Sequence, residues 1–398
     1  MASMTLPAAA WRTRAGLDRL IDALDGANGM ARWVGGAVRD SLLGLPVADI
    51  DLATRFAPEE VVRRLEAAGI KAVPTGIAHG TVTAVSEGTV VEVTTLRRDV
   101  ATDGRHAVVA FSDDWREDAA RRDFTMNALY ADPLTGALFD WFGGLDDLAA
   151  RRVRFIGDPY RRIAEDHLRI LRFFRFHARF GDTVDAAGLE ACVARANDLM
   201  ALSRERIAAE LLKLLVAPGA VPVVALMVSR GIFRPVLPEI DAGGVTRLTA
   251  LVGREAAAGV APDAIRRLAS LVAPEAAEGV GARLKLSNSD RKRLIQSTAG
   301  GGGEGARALG YRVGLESAID RLLLAGEDLH DLIGWQRPSL PIGGGALVAR
   351  GLAKGPDVAR TLRAIEDRWI AEDFPAADRV AAIADEEVAQ ALRSRRNA

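Results

Sequence analysis

The spacing of apolar residues divides this chain into two unlike parts. Between residues 32 and 141, short runs of alternating apolar and polar positions are interleaved with stretches of helical period. Strands are predicted at 32–34, 50–53, 80–85, 90–94, 107–111 and 137–140. Helices are predicted at 15–24, where Leu17, Leu20, Ile21 and Leu24 share a face, at 38–43, at 58–68 with a proline in its first turn, and at 122–130. From about residue 151 the alternation stops and amphipathic helices follow one another. Pro218, the Pro235/Pro238 pair and the glycine run 300–303 punctuate that helical part. The expectation is an α+β chain, with a mixed head over 1–150 and helical segments over 151–217, 218–300 and 301–398.

Composition narrows the function classes. The net charge is −1, so any surface for nucleic acid is local rather than global. A single cysteine, Cys192, excludes an internal disulfide and a cysteine cluster for zinc, and the five histidines are scattered without metal-ligand spacing. The longest apolar run, 214–228, is broken by Pro218, Gly219 and Pro222 and falls short of a membrane span. The first residues lack the continuous apolar core of a secretory signal. These features lead to the expectation of a cytoplasmic protein with no membrane association.

Charged residues then change the picture locally. Asp49 and Asp51 are two apart on a predicted strand, so their carboxylates share a face while Ile50 points to the core. Such a pair suits a hard divalent cation such as Mg²⁺, which shares its oxygen ligands with substrate phosphates. Gly35 and Gly36, just upstream, let the backbone approach a phosphate closely. Taken alone, the carboxylate pair reads as a solvated strand end. Glu92, on the strand 90–94, is either a third carboxylate for the same site or a solvent-facing strand residue. The polar segment 97–106, RRDVATDGRH, is either a mobile loop or a plain surface hairpin. Arg121, Arg122 and Asp123 form a solvated helix start on their own. Beside a phosphate site, Arg122 offers forked donors to its oxygens, and Asp123 and Asn127 are candidates for ribose hydroxyls.

Residues 151–179 hold nine arginines against three acids. On a helix read continuously from Arg161 to Phe176, Asp166, Arg169, Arg172 and Arg175 follow at i+3 and form one stripe, with Ile163, Ile170, Leu171 and Phe174 on the other side. An Asp beside an Arg also suits the edge of a base. The carboxylate accepts from the amino group of cytosine or adenine, and the guanidinium donates to the neighbouring ring acceptor. Uracil and guanine would bury an unsatisfied acceptor there, at a cost of roughly 1–3 kcal/mol.

Taken together, the motifs resemble those of the class II tRNA nucleotidyltransferases and bacterial poly(A) polymerases. The matching residues run Gly35-Gly36-Ala37-Val38-Arg39-Asp40 with Asp49-Ile50-Asp51, then His79-Gly80-Thr81, Glu92, Asp103-Gly104-Arg105-His106 and Arg121-Arg122-Asp123-Phe124-Thr125-Met126-Asn127-Ala128. Gly157-Asp158-Pro159, Glu165-Asp166-His167-Leu168-Arg169 and Ser203-Arg204-Glu205-Arg206-Ile207 with Glu210 and Lys213 complete the set. The resemblance covers roughly residues 30 to 240. It implies a nucleotidyltransferase head with a five-stranded mixed sheet, then an all-helical neck, body and tail. It further implies that Asp49 and Asp51 hold two Mg²⁺ ions, and that Gly35, Gly36, Arg39 and Arg122 bind the triphosphate of CTP or ATP. Asp123 and Asn127 would lie near the ribose, Asp166 and Arg169 would select the base, and Arg172 and Arg175 would add to nucleotide binding. Residues 203–213 would support that template, and 97–106 would be the loop that places the nucleotide for the final A. The implied partner is the 3′ end of tRNA, with no obligate protein partner.

Two alternatives accompany this expectation. A poly(A) polymerase of the same family would use ATP alone, but that subgroup's Gly-Arg/Lys-Arg-Phe stretch and long basic tail are missing here. A tRNA-binding protein without catalysis is hard to reconcile with two intact aspartates. No histidine-aspartate phosphohydrolase signature follows the neck.

Overall fold

The computed structural model describes residues 4–77, 80–102, 107–300, 303 and 305–396. Two compact units divide the chain, Met1–Pro238 and Glu239–Ala398.

The first unit opens with helix α1 (Leu17–Ala23), strand β1 (Ala31–Val34), helix α2 (Gly36–Leu42), strand β2 (Asp51–Thr54) and helix α3 (Pro58–Ala67). Strands β3 (Lys71–Gly76), β4 (Thr81–Ser86) and β5 (Thr89–Thr95) follow, then β6 (Arg97–Thr102), β7 (Ala107–Phe111), α4 (Trp115–Ala120), β8 (Tyr130–Ala131), β9 (Leu138–Phe139) and α5 (Gly144–Ala149). The main sheet has seven strands in the order β3-β4-β5-β2-β1-β8-β9, and β6 and β7 form a separate hairpin. Only the β2–β5 pairing is parallel among its ladders, so the sheet is mixed. Helices α1 and α3 pack on the β3–β5 side of the sheet. An α+β chain is what the hydrophobic pattern predicts, but the sheet is wider than the five strands the resemblance implies.

The differences have local causes. Pro74 argues against a strand over 71–76, yet β3 is the edge strand, where a missing N–H costs no ladder bond. Residues 97–102 are polar and pair with 107–111 in the hairpin, so the first half of the 97–106 segment is strand. The turn Asp103–His106, and with it the nucleotide-placing loop, lies outside the described residues, as does His79. Residues 122–130 are not an α-helix. They form a single 3₁₀ turn over Thr125–Asn127 and then enter β8, because one Asp123 oxygen takes the Phe124 backbone N–H and the side-chain Nδ2 of Asn127, and Phe124 is drawn into an aromatic core.

The helical remainder of this unit contains α6 (Pro159–Glu165), α7 (Arg169–Phe180), α8 (Ala186–Ala194), α9 (Arg204–Leu215) and α10 (Ala220–Ser229). Asp158 caps α6 through the Tyr160 and Arg161 N–H groups, with Pro159 at the first helical position. Phe124, fully buried, lies 5.0 Å from Phe155 and 5.2 Å from Phe176 between ring centroids, and Phe155 stacks on Phe173 at 5.5 Å. Ring clusters of this kind bury large apolar area with defined geometry. They fix α7 against the segment that carries Arg122 and Asp123.

The second unit has helices and no strand among its described residues: α11 (Ala242–Ala257), α12 (Ala264–Leu271), α13 (Ala277–Arg283), α14 (Asn288–Thr298), α15 (Ala306–Val313), α16 (Leu315–Ala325), α17 (Gly344–Ala349), α18 (Pro356–Ala371) and α19 (Ala377–Arg396). Leu251, Leu309, Leu322 and Leu323 form one apolar cluster, and Ile365, Trp369, Val380 and Ile383 belong to another. Buried Glu255 pairs with Arg266 and Arg267, and buried Asp320 takes Arg293 through both oxygens. A cavity of about 330 Å³ is lined by Arg247, Arg254 and Arg321, yet all three donate to backbone carbonyls at or just beyond helix C-termini: Ser270, Leu323 and Gly300 respectively. Those arginines are helix caps. None of the described helices is long and apolar enough to cross a membrane.

Candidate active site

Strand β2 begins at Asp51, whose register partner on β5 is Glu92. Asp49 lies in a bend before the strand and is exposed, so the two aspartates are not successive same-face residues of one strand as the spacing suggests. Ile50 is buried and its carbonyl accepts the Glu92 N–H, which anchors the approach to the strand without making it regular. The three carboxylates nonetheless act on one another. Burial raises the Asp51 pKa to about 6, with Glu92 and Asp49 adding to the rise and Arg122 and Arg39 opposing it. A carboxylate crowded by others and partly desolvated fits a divalent cation, which relieves the repulsion with hard oxygen donors. Among the described residues no group of three acidic, histidine or cysteine side chains is close enough to complete a metal site alone. Substrate phosphates would have to supply the remaining ligands.

Gly35 precedes α2 with φ +66° and ψ −121°, a conformation that side-chain-bearing residues avoid. A Cβ on Gly35 would sit 3.3 Å from Nη1 of Arg122, so the glycine also makes room for that guanidinium. Arg122 donates Nε to the Tyr130 hydroxyl at 3.1 Å and Nη2 to Asp118 at 3.2 Å. Arg121 grips the other Asp118 oxygen at 2.8 Å, and the Tyr130 hydroxyl donates to Asp118 as well. Burial pushes the Asp118 pKa upward, but Arg122 and Arg121 outweigh it and hold the carboxyl at about 2. Arg39, buried on α2, donates to Asp40 at 2.8 Å and to Oδ1 of Asn127 at 2.5 Å, with its guanidinium 4.3 Å from the Phe180 ring.

Asp123 is fully engaged. One oxygen takes the Phe124 N–H at 2.8 Å and Nδ2 of Asn127 at 2.9 Å, and the other takes Arg172 twice, at 2.8 and 2.6 Å. Burial opposes its ionisation, yet Arg172 and these bonds keep its pKa below the usual value. Four accepted bonds use all its lone-pair sites. It therefore has no acceptor free for a ribose hydroxyl, and acts as the clamp between this segment and α7.

The helix read as continuous from Arg161 to Phe176 breaks in the middle. Asp166 ends α6 in an extended conformation, φ −150° and ψ 107°, and α7 starts at Arg169. Oδ1 of Asp166 accepts the Leu168 N–H at 3.1 Å, a local bond that competes with the helical one and explains the break. Arg169 is held separately, by Glu165 at 2.6 Å, the Arg162 carbonyl at 2.9 Å and the Arg121 carbonyl at 3.1 Å. Helix α9 supports Asp166 and helix α7 from behind: Arg206 reaches Asp166 at 2.9 Å, and buried Glu210 pairs with Arg175 and lies 3.7 Å from Arg172.

These groups converge on a cavity of about 480 Å³ whose walls include Gly35, Gly36, Arg39, Asp51, Arg122, Asp123, Asn127, Asp166, Arg169 and Arg172. Asp49, Glu92 and Arg175 are not among its lining residues. Arg97, from the 97–106 segment, and Arg121, from the Arg121–Asp123 cluster, line it too, as does Phe176, which sequence reasoning did not assign there. The holder Asp118 was missed as well, whereas Arg206 and Glu210 stand in the 203–213 motif that the resemblance gives as support for the template. Asp118 stands at i−4 from Arg122, a pairing signal that was available. Six arginines and three aspartates line this one cavity and give it the electrostatics of an anion site with a place for cations.

The segment 31–154 matches the family model described as Poly A polymerase head domain, and 183–243 matches the one described as a probable RNA and SrmB-binding site of polymerase A. The chain is 45% identical over 205 residues to the mitochondrial CCA tRNA nucleotidyltransferase 1 of Homo sapiens, a match spanning 50% of this chain and 47% of that protein. Against the protein of the same name from Danio rerio it is 34% identical over 359 residues, spanning 85% of this chain and 83% of that one. The structure is similar to that of the Bacillus stearothermophilus CCA-adding enzyme in complex with CTP, with a TM-score of 0.75 and 26% identity over 97% of this chain and all of that one. The cavity geometry and these likenesses agree, and the chain belongs to the class II family of CCA tRNA nucleotidyltransferases and bacterial poly(A) polymerases.

Proposed function

We propose that this protein adds or repairs the 3′-terminal CCA of tRNA from CTP and ATP without a nucleic-acid template. The observation that carries the reading is that one cavity holds Asp51, the Arg122 cluster and the Asp166–Arg169 pair together. In this reading, phosphate chemistry and base selection share that one cavity. The names of the human and zebrafish relatives support tRNA as the substrate, and the bacterial neighbour's complex with CTP supports the nucleotide.

In the proposed reaction the tRNA 3′-hydroxyl attacks the α-phosphate in line and pyrophosphate leaves. Arg122, pinned by Asp118 and Tyr130, presents a preformed cation to the triphosphate, and Gly35 and Gly36 let backbone come close to it. Asp166 and Arg169 read the amino group and the ring acceptor shared by cytosine and adenine. Arg172 holds Asp123 in place, so the wall between the two functions is rigid. Asp49 and Asp51 would hold Mg²⁺, whose chemistry is to lower the hydroxyl pKa and to neutralise the departing pyrophosphate. Rate enhancement then comes from positioning and charge, with no covalent enzyme intermediate. The four-part division at 150, 217 and 300 and a cytoplasmic location belong to the same proposal.

The test uses tRNAs ending before C74, after C74 and after C75, each supplied with one nucleotide or all four, and the products are sequenced. Addition that completes CCA and stops is expected. A long A tail made from ATP alone would instead identify a poly(A) polymerase.

A further inference from the structure

Arg32 projects from β1 outside the cavity, and its guanidinium is held without a hydrogen bond. On β1 it is the register partner of Ala53 on β2, whose small side chain leaves room on that face. The guanidinium carbon lies 3.5 Å from the Phe139 ring centroid and 4.3 Å from that of Trp115. Contact with the ring faces fixes the cation and uses none of its five N–H donors. Nε is buried without a partner, and among the described residues the Arg32 side chain makes no hydrogen bond or ion pair. Arg55, two residues beyond Ala53, is exposed, with its guanidinium 5.7 Å from the same Trp115 ring. Its side chain also lacks a hydrogen bond or ion pair among those residues. Burial and the charge of Arg55 lower the Arg32 pKa to about 10, opposed by Asp132 and Tyr130, so both arginines are cations at neutral pH. Asp132 forms an ion pair with neither, and its Oδ1 takes the Leu134 and Thr135 N–H groups. A half-buried cation with unspent donors beside a second cation is costly unless an anion joins them.

We propose that Arg32 and Arg55 form a phosphate site that takes the backbone of the tRNA substrate. The proposal rests on the reading of tRNA as the substrate and adds a contact outside the nucleotide cavity, whose walls include neither residue. A phosphodiester has one negative charge and two free oxygens, which match one fixed and one adaptable guanidinium. A free triphosphate carries more charge than two arginines offset. The net charge of −1 gives no general attraction for RNA, so its backbone has to be held at local cationic points. The position suits a strand whose end is being extended. Arg32 precedes Gly35 by three residues, about 10 Å at the rise of a strand. Trp115 packs edge-on against Tyr130, whose hydroxyl holds Arg122, so one aromatic layer separates the site from the triphosphate arginine.

The experiment measures binding of tRNA lacking its CCA end by anisotropy over a range of salt concentrations, and CTP affinity by calorimetry. The proteins are the wild type, Arg55→Gln, the Arg32→Gln/Arg55→Gln double variant and Arg19→Gln, which removes an exposed arginine of α1 as a control. In the double variant, the slope of log binding constant against log salt is expected to be shallower by about 0.7–0.9, the share of one phosphate. Its tRNA affinity is expected to fall about five- to eightfold near 0.1 M salt. Arg55→Gln is expected to show part of both changes, while CTP affinity and the Arg19→Gln protein match the wild type. Because Arg55 is exposed, its single variant decides the matter even where the double variant fails to fold. Unchanged tRNA affinity and slope in Arg55→Gln overturn the proposal. An equal change in Arg19→Gln also overturns it, as the mark of a general field, and so does a loss of CTP affinity in Arg55→Gln. A wild type that does not bind tRNA would overturn the underlying reading of the substrate instead.

Discussion

At the scale of single residues, the site is a set of charges whose partners decide their roles. Asp51 takes up its proton at about pH 6 because burial, Glu92 and Asp49 all disfavour its ionised form. The folded chain therefore binds a proton more readily than the unfolded chain, whose ordinary value is 3.8. Without divalent cations, this contribution to stability is full below about pH 4 and is lost as pH rises through about 6. Asp51→Asn is expected to flatten that part of the stability-against-pH curve, measured by denaturant unfolding in a chelator. An identical curve would mean that Asp51 is not crowded as described. In activity, Asp49→Ala/Asp51→Ala is expected to abolish nucleotide incorporation while tRNA still binds in a filter or anisotropy assay, and full activity in that variant would remove the pair from the chemistry. Asp51, Arg122, Asp166 and Arg169 were legible as site residues because each stands in a motif whose chemistry is local. The saturation of Asp123 was not, since it depends on Arg172, 49 positions away.

At the scale of elements, the sheet and helices were legible where the pattern is regular and lost where a side chain competes with the backbone. Strands β4, β5 and β7 and helices α2 and α3 lie within a few residues of their predicted positions. The break at Asp166 and the 3₁₀ turn after Asp123 both come from an aspartate that captures nearby N–H groups, which apolar periodicity does not register. Strand β3 was hidden by Pro74, and β6 by a run of polar residues. Helix α9 was legible as a motif that supports the template, but the partners of Glu210 were not: it sits buried against Arg175 and beside Arg172. Glu210→Ala leaves Arg175 with its charge unmatched in a largely buried position. It is expected to cost about 3 kcal/mol, read as a lowered denaturation midpoint with unchanged slope. A loss below the error of such a measurement would show that the arginines find other partners.

At the scale of the whole molecule, the two compact units differ in what their charges do. In Met1–Pro238 many of the charged residues line the cavity, whereas in Glu239–Ala398 buried ions tie helices together, with Asp320 between Arg293 on α14 and Arg266 on α12. Asp320→Ala uncovers two arginines in the interior and is expected to destabilise residues 239–398 by about 3–5 kcal/mol. Calorimetry should register that loss while nucleotide binding to the first unit persists; equal loss of both would contradict the division of roles. The motifs gave no reading of 239–398 because its helices are specified by apolar stripes and internal ion pairs, which many helical folds share. The central claim concerns the first unit: one protein cavity both binds the triphosphate and chooses the base. Its most direct test is kcat/KM for all four nucleotides on tRNA lacking CCA, in the wild type and in Asp166→Ala. The account predicts that the variant loses about five- to a hundredfold of its preference for CTP and ATP over UTP and GTP, with tRNA affinity unchanged. A preference left intact in Asp166→Ala would contradict it.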